Sequence, residues 1–398
     1  MITVAEAIER ITAAFKPVDS ESVAIDDGAG RVLAETVRAR MTQPPAPVSA
    51  MDGYAVRATD AATVPATLKV IGTSPAGHPF AGKVGPGQSV RVFTGGVVPE
   101  GVDAVVIQED TDLGEEIVTI REAAQPGRHI RKAGLDFRYG DALAEAGRRL
   151  SARDLSLLAA GDIPMLAVRR RPRIALAATG DELTPPGAPR GPGGIVASSG
   201  YGLSALIQKW GGEVLDLGII PDTVEAVAAL PRRAAGADLL LTLGGASVGE
   251  HDLIQKALGP KGFVLDFWKI AMRPGKPLIF GRLGTLPLMG LPGNPVSTLV
   301  CAILFLRPAI AAMLGTDTAT PLMAARAAID IKANDKRQDY IRARLELRDG
   351  ELWTTPFPIQ DSGMLSTIAA ADALIVRPPH APAVHPGERV DILPLESF

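Results

Sequence analysis

The chain has 398 residues, of which 46% are hydrophobic, 21% charged and only 4% aromatic, with 42 Gly, 33 Pro and a net charge of −3. At about 150 residues per domain, this length implies about two to four domains with ample material for separate cores. A sequence pI of about 6.0 argues against a general nucleic-acid binder, and the single cysteine, Cys301, excludes an intrachain disulfide or a cysteine-rich zinc site.

In chain order, the N-terminal stretch MITVAEAIERITAAF reads as an amphipathic helix. Its acids and the lack of a basic leading segment set it apart from a signal peptide. Asp26-Asp27-Gly28 signals a turn, followed by a second helical pattern at Val32, Leu33 and Thr36. Pro44, Pro45 and Pro47 mark a linker. From there to Asp141, TLKVIG, SVRVFTGG, DAVVIQED and IVTIRE are short alternating strands separated by Gly and Pro. A compact β domain inserted between helical pieces fits this pattern. Helical spacing returns in ARDLSLLAAG after Leu150, and the basic run 169–173 reads as a solvated strand or loop edge.

Beyond it, strands without alternation (RIALAATG, EVLDLGIIPD, ADLLLTLGG) are separated by helical segments (GLSALIQKWGG, TVEAVAALPRRAAG, DLIQKALG). Such a rhythm indicates a parallel sheet buried on both faces. PVSTLVCAILFLRPAI is a long helix with Cys301 as a core thiol, and the apolar run 296–306 is too short for a membrane span. From Pro321, YIRARLEL, ALIVRPP and ERVDILPL form a terminal β domain. A soluble protein of a reducing, cytoplasmic compartment is expected, without nucleic-acid or membrane partners.

Ligands of open α/β sheets bind at the carboxyl ends of the strands, and the loops there are unusual. Gly244, Gly245, Ser247 and Gly249 follow a fully apolar strand and open a helix that carries Asp252. Glycines permit close backbone approach, a helix N-terminus favours an anion, and Asp252 suits a divalent ion. A tight turn alone explains the glycines equally well. Thr179-Gly180-Asp181-Glu182 ends another strand, as a helix cap or as paired acids. Lys269, Arg273 and Lys276 surround a Pro-Gly turn; if the segment is extended, the first two share a face, so a phosphate or an oxyanion is one reading and solvated surface cations the other. Pro292, Asn294 and Pro295 suit a helix cap and first turn as well as a ligand contact. In the β region, Asp52-Gly53 is a common turn.

Taken in order, SAMDGYAV, TGGVVPEGVDAVVIQED, TGDEL, GGASVGEHD, the PGKP loop and LPGNPVS resemble the signatures of the MoeA/gephyrin E-domain family of molybdopterin molybdenumtransferases, along nearly the whole chain. The resemblance implies a multidomain α/β plus β fold. Its parts are a discontinuous elongated domain over 21–40 and 141–169, an inserted β domain over 41–140, a central three-layer α/β molybdopterin-binding domain over 1–20 and 170–318, and a C-terminal β-barrel-like domain over 319–398. It implies a homodimer whose site is shared between subunits, and a molybdopterin adenylyltransferase as the upstream partner.

The family reaction takes adenylated molybdopterin and molybdate as substrates and releases AMP in a step that uses Mg²⁺. By the same resemblance, Asp52, Thr94 and Asp136 come from the β-domain side. Glu182, Asp222, Asp252, Lys269, Arg273 and Lys276 come from the α/β domain, and Arg342, Ser362 and Ser366 from the terminal domain. Asp252, with Glu182 or Asp222, is assigned Mg²⁺ and the attacking water, the three cations the phosphate and molybdate charge, and the glycines and Ser247 the pterin or its phosphate. Departures from the pattern are Arg273 for a usual lysine, Ala197-Ser198-Ser199 for an Asp-Ser/Thr-Asn triplet, Leu135 within a usual Gly-Glu-Asp, and Ala343 for glycine. Two other readings stand beside the insertase: an adenylyltransferase-like nucleotide-processing enzyme and a non-enzymatic assembly scaffold.

Overall fold

The computed structural model describes residues 1–244 and 248–395, with only the backbone described at 248–252. The chain forms two compact units: Met1–Glu21, Gly30–Ala34 and Val168–Phe398 make up the first, Ser22–Ala29 and Glu35–Ala167 the second.

The first unit is built on a six-stranded sheet. Its order runs Glu213–Ile220, Arg173–Thr179, Leu239–Leu243, Leu286–Leu291, Ile279–Leu283, Phe263–Trp268. Alternate residues of one strand serve opposite faces. Ile174 and Leu176 enter a core with the N-terminal helix Val4–Ala13, the helix Ser199–Lys209 and the helix Pro295–Leu314. Ala175 and Ala177 enter a second core with helices Val224–Arg233 and Val248–Leu258. Two cores on one sheet make the three layers and explain why these strands are apolar throughout.

The expected sheet is parallel, and its first four strands are. The last two pairings are antiparallel, and for Ile279–Leu283 with Leu286–Leu291 the reason is that only Gly284 and Thr285 separate them. A two-residue connection makes a hairpin, whereas a parallel crossover needs a dozen residues or more.

The N-terminal helix forms as its spacing predicts. Thr3 caps it by accepting from Glu6 N at 3.1 Å, and Val4, Ala7 and Ile11 are buried. No helix forms around Val32, Leu33 and Thr36. Val32 and Leu33 are both buried, Leu33 bridges to Val168, and Val37–Arg38 pairs with Ala142–Ala144. Adjacent apolar residues entering a core from irregular chain had imitated a helical period. The basic run is more engaged than a solvated edge: Arg170 holds Asp238 through two bonds of 2.8 and 2.7 Å, and Arg169 donates to Val18 O at 2.9 Å.

Pro295–Leu314 is, among the described residues, one helix long and apolar enough to cross a membrane, yet 83% of its apolar window is buried in the first unit. It is the central core helix, with a wider turn at Ala302–Leu306. Cys301 lies wholly buried within it, and burial pushes its thiol pKa up.

The chain then builds a closed five-stranded barrel: Gln338–Arg348, Glu351–Pro356, Met323–Ala327, Arg389–Pro394 and Ala373–Arg377, the last pairing back on the first. Ala325, Ala327, Ala343 and Ala373 line its interior with Ile375 and Ile392, small side chains for a narrow barrel. Closure leaves few exposed edges.

The second unit holds a five-stranded sheet ordered Ala104–Ile107, Gly53–Val56, Gln88–Val92, Ala66–Ser74, Ile117–Ile120. Its helix Ala152–Ala160 starts with a reciprocal capping box between Ser151 and Asp154.

Candidate active site

Four carboxyl strand ends stand side by side in the first unit: Ile220, Thr179, Leu243 and Leu291. Trp268 lies opposite Ile279, and Ile279 opposite Gly290, so the 269–276 loop opens at the same edge. The strand-end segments singled out in the sequence thus meet at one border of one sheet.

Thr179 is buried and donates its hydroxyl to Leu243 O at 3.2 Å, tying two strand ends together. Gly180 follows with φ near 150°, where a Cβ would stand 2.7 Å from a Glu182 carboxylate oxygen. Only glycine lets Glu182 fold back over this turn. Asp181 accepts from Asp222 N at 3.1 Å, joining the Glu182 loop to the Asp222 loop.

A cleft of about 440 Å³ is lined by Thr179, Glu182, Gly244, Pro277, Pro292 and Asn294, among others. A Cβ on Gly293 would lie 3.8 Å from Gly244 Cα, so these two glycine loops nearly touch. A second cavity of about 540 Å³ shares Ala178, Leu183, Ala197, Gly200 and Leu243 with the cleft and reaches Tyr201 and Asp216. Helices Ser199–Lys209 and Pro295–Cys301 both begin at the cleft, and the first turn of Ser199–Lys209 favours an anionic ligand there. Gly245, Ser247, and Gly249 and Asp252 beyond their helical backbone, lie outside the described residues.

The three cations do not form one equivalent cluster. Lys269 has φ near 87°, and only Met272–Arg273 is strand, so the expected alternation that would align Lys269 with Arg273 does not hold. Lys269 Nζ sits 3.7 Å from the centre of the Trp268 ring, while Lys276 is exposed beside Pro277 of the cleft. Arg273 turns to the barrel: its Nη2 bonds the Asp339 carboxylate and its Nη1 lies 3.7 Å from Asp335. That hydrogen bond to Asp339 holds the guanidinium pKa above its usual value.

Asn294 occupies the cap position of its helix, but its side chain does not cap. Pro295 has no N–H, and Val296 N already donates to Ser362 O at 3.1 Å. The Asn294 amide is released to donate to Ser362 Oγ at 3.0 Å, docking the barrel on the cleft rim. Arg342, expected at the ligand, is buried inside the terminal domain. It donates to Gln360 Oε1 at 3.1 Å and Asp361 O at 2.8 Å, shaping the loop that presents Ser362. Burial pushes its pKa down. Ser366 is exposed on the short helix Leu365–Ala369 next to the Pro295–Cys301 helix.

In the second unit, Asp52 and Thr94 come together: one Asp52 oxygen accepts from Thr94 N at 2.7 Å and Thr94 Oγ1 at 2.8 Å. The Thr94 N–H foremost, then its hydroxyl, hold the carboxyl below its usual pKa. Asp136 is exposed, and its backbone N–H donates to Gln43 O at 3.1 Å. Met51, Phe93, Leu135 and Tyr139 expose apolar surface near these residues in sequence.

Comparison with known proteins extends the geometry to the whole chain. The MoeA N-terminal region (domain I and II) matches residues 2–161, the probable molybdopterin binding domain residues 175–312, and the MoeA C-terminal region (domain IV) residues 324–395. The molybdopterin molybdenumtransferase of Haemophilus influenzae is 36% identical, over 95% of this chain and 94% of its own length. The chain belongs to the MoeA family. A Bacillus subtilis relative of the same description is 33% identical, over 98% and 94% of the two chains. The crystal structure of a molybdopterin biosynthesis MoeA protein from Pyrococcus horikoshii shares the fold at a TM-score of 0.84, with 30% identity over 99% of both chains.

Within this MoeA chain, the sequence assigned a role to Glu182 and named Asp181 only as its acidic neighbour, yet the Asp181 bond to the Asp222 backbone joins two loops. It passed over Asp339 and Gln360, which hold Arg273 and Arg342. Asp339 lies between Gln338 and Tyr340 like any strand acid, so only its burial reveals it.

Proposed function

We propose that this MoeA-family chain is a molybdopterin molybdenumtransferase that inserts molybdate into adenylated molybdopterin and releases AMP in a Mg²⁺-dependent step. The observation that carries this reading is the strand-end cleft, where the Glu182 loop, the Gly244 loop, the Pro277 side of the cation loop and the Pro292–Asn294 loop line one cavity. The N-terminus of helix Ser199–Lys209 and the nearby Lys276 suit the phosphates of a nucleotide-capped pterin and the molybdate oxyanion. The neighbouring, largely apolar cavity suits a flat ring system.

Molybdate sheds one oxygen as water, with the two dithiolene thiol protons, as the sulfurs bind molybdenum, and a water then breaks the phosphoanhydride to give AMP and the pterin phosphate. Glu182 and the Asp222 loop, held together through Asp181, offer hard carboxylate oxygens of the kind Mg²⁺ takes. Among the described residues no three such groups gather, and Mg²⁺ commonly keeps several waters on one or two carboxylates. Glu182 and Asp222, with Asp252, would hold it, and the ion would then offset phosphate charge as the leaving group departs. Lys276 and Lys269 would hold the anions in place, while the glycines Gly180 and Gly244 admit backbone close to the ligand.

The exposed apolar residues near Asp52, Thr94 and Asp136 favour a homodimer in which this face meets a second copy and completes its site. Action in the cytoplasm, downstream of a molybdopterin adenylyltransferase, follows from the same reading. AMP release from adenylated molybdopterin, followed by chromatography with and without molybdate, tests it. Molybdate-dependent AMP release and cofactor formation are expected. Release indifferent to molybdate would assign the chain to nucleotide processing, and no release at all would leave the scaffold reading.

A further inference from the structure

Arg273 lies on the 269–276 loop, but its charge points away from that loop's cleft side. Met272–Arg273 runs parallel to the first barrel strand, Met272 opposite Gln338 and Arg273 opposite Asp339. Gln338 N donates to Ala271 O at 2.9 Å, so backbone bonds and the ion pair act at the same place. Asp339 is buried, one oxygen on Arg273 and the other without a hydrogen-bond partner among the described residues. Arg377, also buried, is its cross-strand neighbour. A carboxylate buried in this way is costly unless paired, so without Arg273 it would keep the Arg377 charge beside it but lose its hydrogen bond.

The rest of the loop is tied at other points. Ile2 N donates to Lys269 O at 3.3 Å, Ala271 N to Ile2 O at 2.8 Å, and Ile270 N to Lys276 O at 2.9 Å. Gly275, with φ near 99°, packs its backbone so closely on the core helix that a Cβ would meet Cys301 Sγ at 2.4 Å. The loop is therefore stitched to the N-terminus, to the core helix and, through Asp339, to the barrel.

We propose that Asp339 is a positioning residue for the anion-binding loop: by holding Arg273 it fixes where Lys269 and Lys276 stand for the anionic substrate. Arg273 is then a tie between loop and barrel, and the two lysines carry the contact with the oxyanion. This rests on reading the strand-end cleft as the substrate site.

The test compares full-length wild type with Asp339→Asn, Arg273→Gln and the double variant. It measures kcat and the KM for molybdate with adenylated molybdopterin, and amide hydrogen exchange over residues 269–276. Each single change is expected to raise the KM for molybdate about tenfold, leave kcat within about threefold, and speed exchange in the loop. The double variant is expected to be no worse than either single one, because both changes break one tie. A loss in Arg273→Gln far beyond that in Asp339→Asn, or an unchanged KM in Asp339→Asn, overturns the proposal. Should Asp339→Asn not fold, Arg273→Gln at its half-exposed site decides by loop exchange: faster exchange supports the tie, unchanged exchange refutes it. If wild type shows no molybdate-dependent turnover, the functional reading fails, and loop exchange still decides the tie.

Discussion

Two carboxylates singled out by the sequence stand in opposite physical states. Asp52, in the second unit, is already satisfied: two Thr94 donors grip one oxygen and hold its proton affinity down. Glu182, in the first unit, is exposed on a glycine turn and lines a cleft. The difference teaches that a site acid can be fixed by its own protein or left for a ligand to fix. The first kind is a rigid reference point, the second a group that, on the proposed function, substrate would order.

The sharpest way to break this comparison is Glu182→Gln. A group that acts only when ligand is bound should cost about 100-fold in kcat/KM while thermal stability stays within about a degree. A large fall in Tm would mean that Glu182 is structural after all. Thr94→Val comes next, removing one of the two Asp52 donors. The Asp52 carboxyl should titrate higher, followed by NMR, and turnover should fall about tenfold. Because Asp52 stays ionised at neutral pH in either protein, that fall would come from its position and not from its charge.

Asp154 supplies the purely structural extreme. Ser151 donors and Arg148 lower its pKa to about 2. Its folded value lies below the unfolded value of about 3.9, so its stabilisation is present above about pH 4 and is lost as pH falls toward 2. Asp154→Ala should cost about 1 kcal/mol at pH 7 by denaturant unfolding, flatten that acid dependence, and leave kcat unchanged. The smallest effect is expected for Asn294→Ala. A capping side chain would cost about 1 kcal/mol, but this one bonds Ser362, so the loss should stay below about 0.5 kcal/mol.

Much of the fold was legible because its signals were local. Fully apolar strands such as Leu239–Leu243 could only be central, and they are. The hairpin of Ile279–Leu283 and Leu286–Leu291 was hidden because it depends on a two-residue turn between runs that look like any buried strand. The false helix at Val32 and Leu33 arose from a pattern too short to show a period. At the candidate site, residue type put Glu182 and Lys276 at the carboxyl ends of the strands, where the structure also has them. It could not tell where a long cation points: Arg273 and Arg342 both turn to partners in the barrel that are distant in sequence. Nor could it show that Val296 N is occupied, which is what frees Asn294.

The face of the large sheet covered by Val4–Ala13 and Pro295–Leu314 has a consequence for synthesis. One of its covering helices is synthesised before the sheet's strands and the other after the strand Leu286–Leu291. Until then the strands carrying Ile174, Leu241 and Met289 have an oily side only partly covered, by helix Ser199–Lys209. A chaperone that shields nascent chains would find its longest-lived target there, and stop codons placed shortly before Pro295 should yield aggregates rather than a trimmed, working first unit.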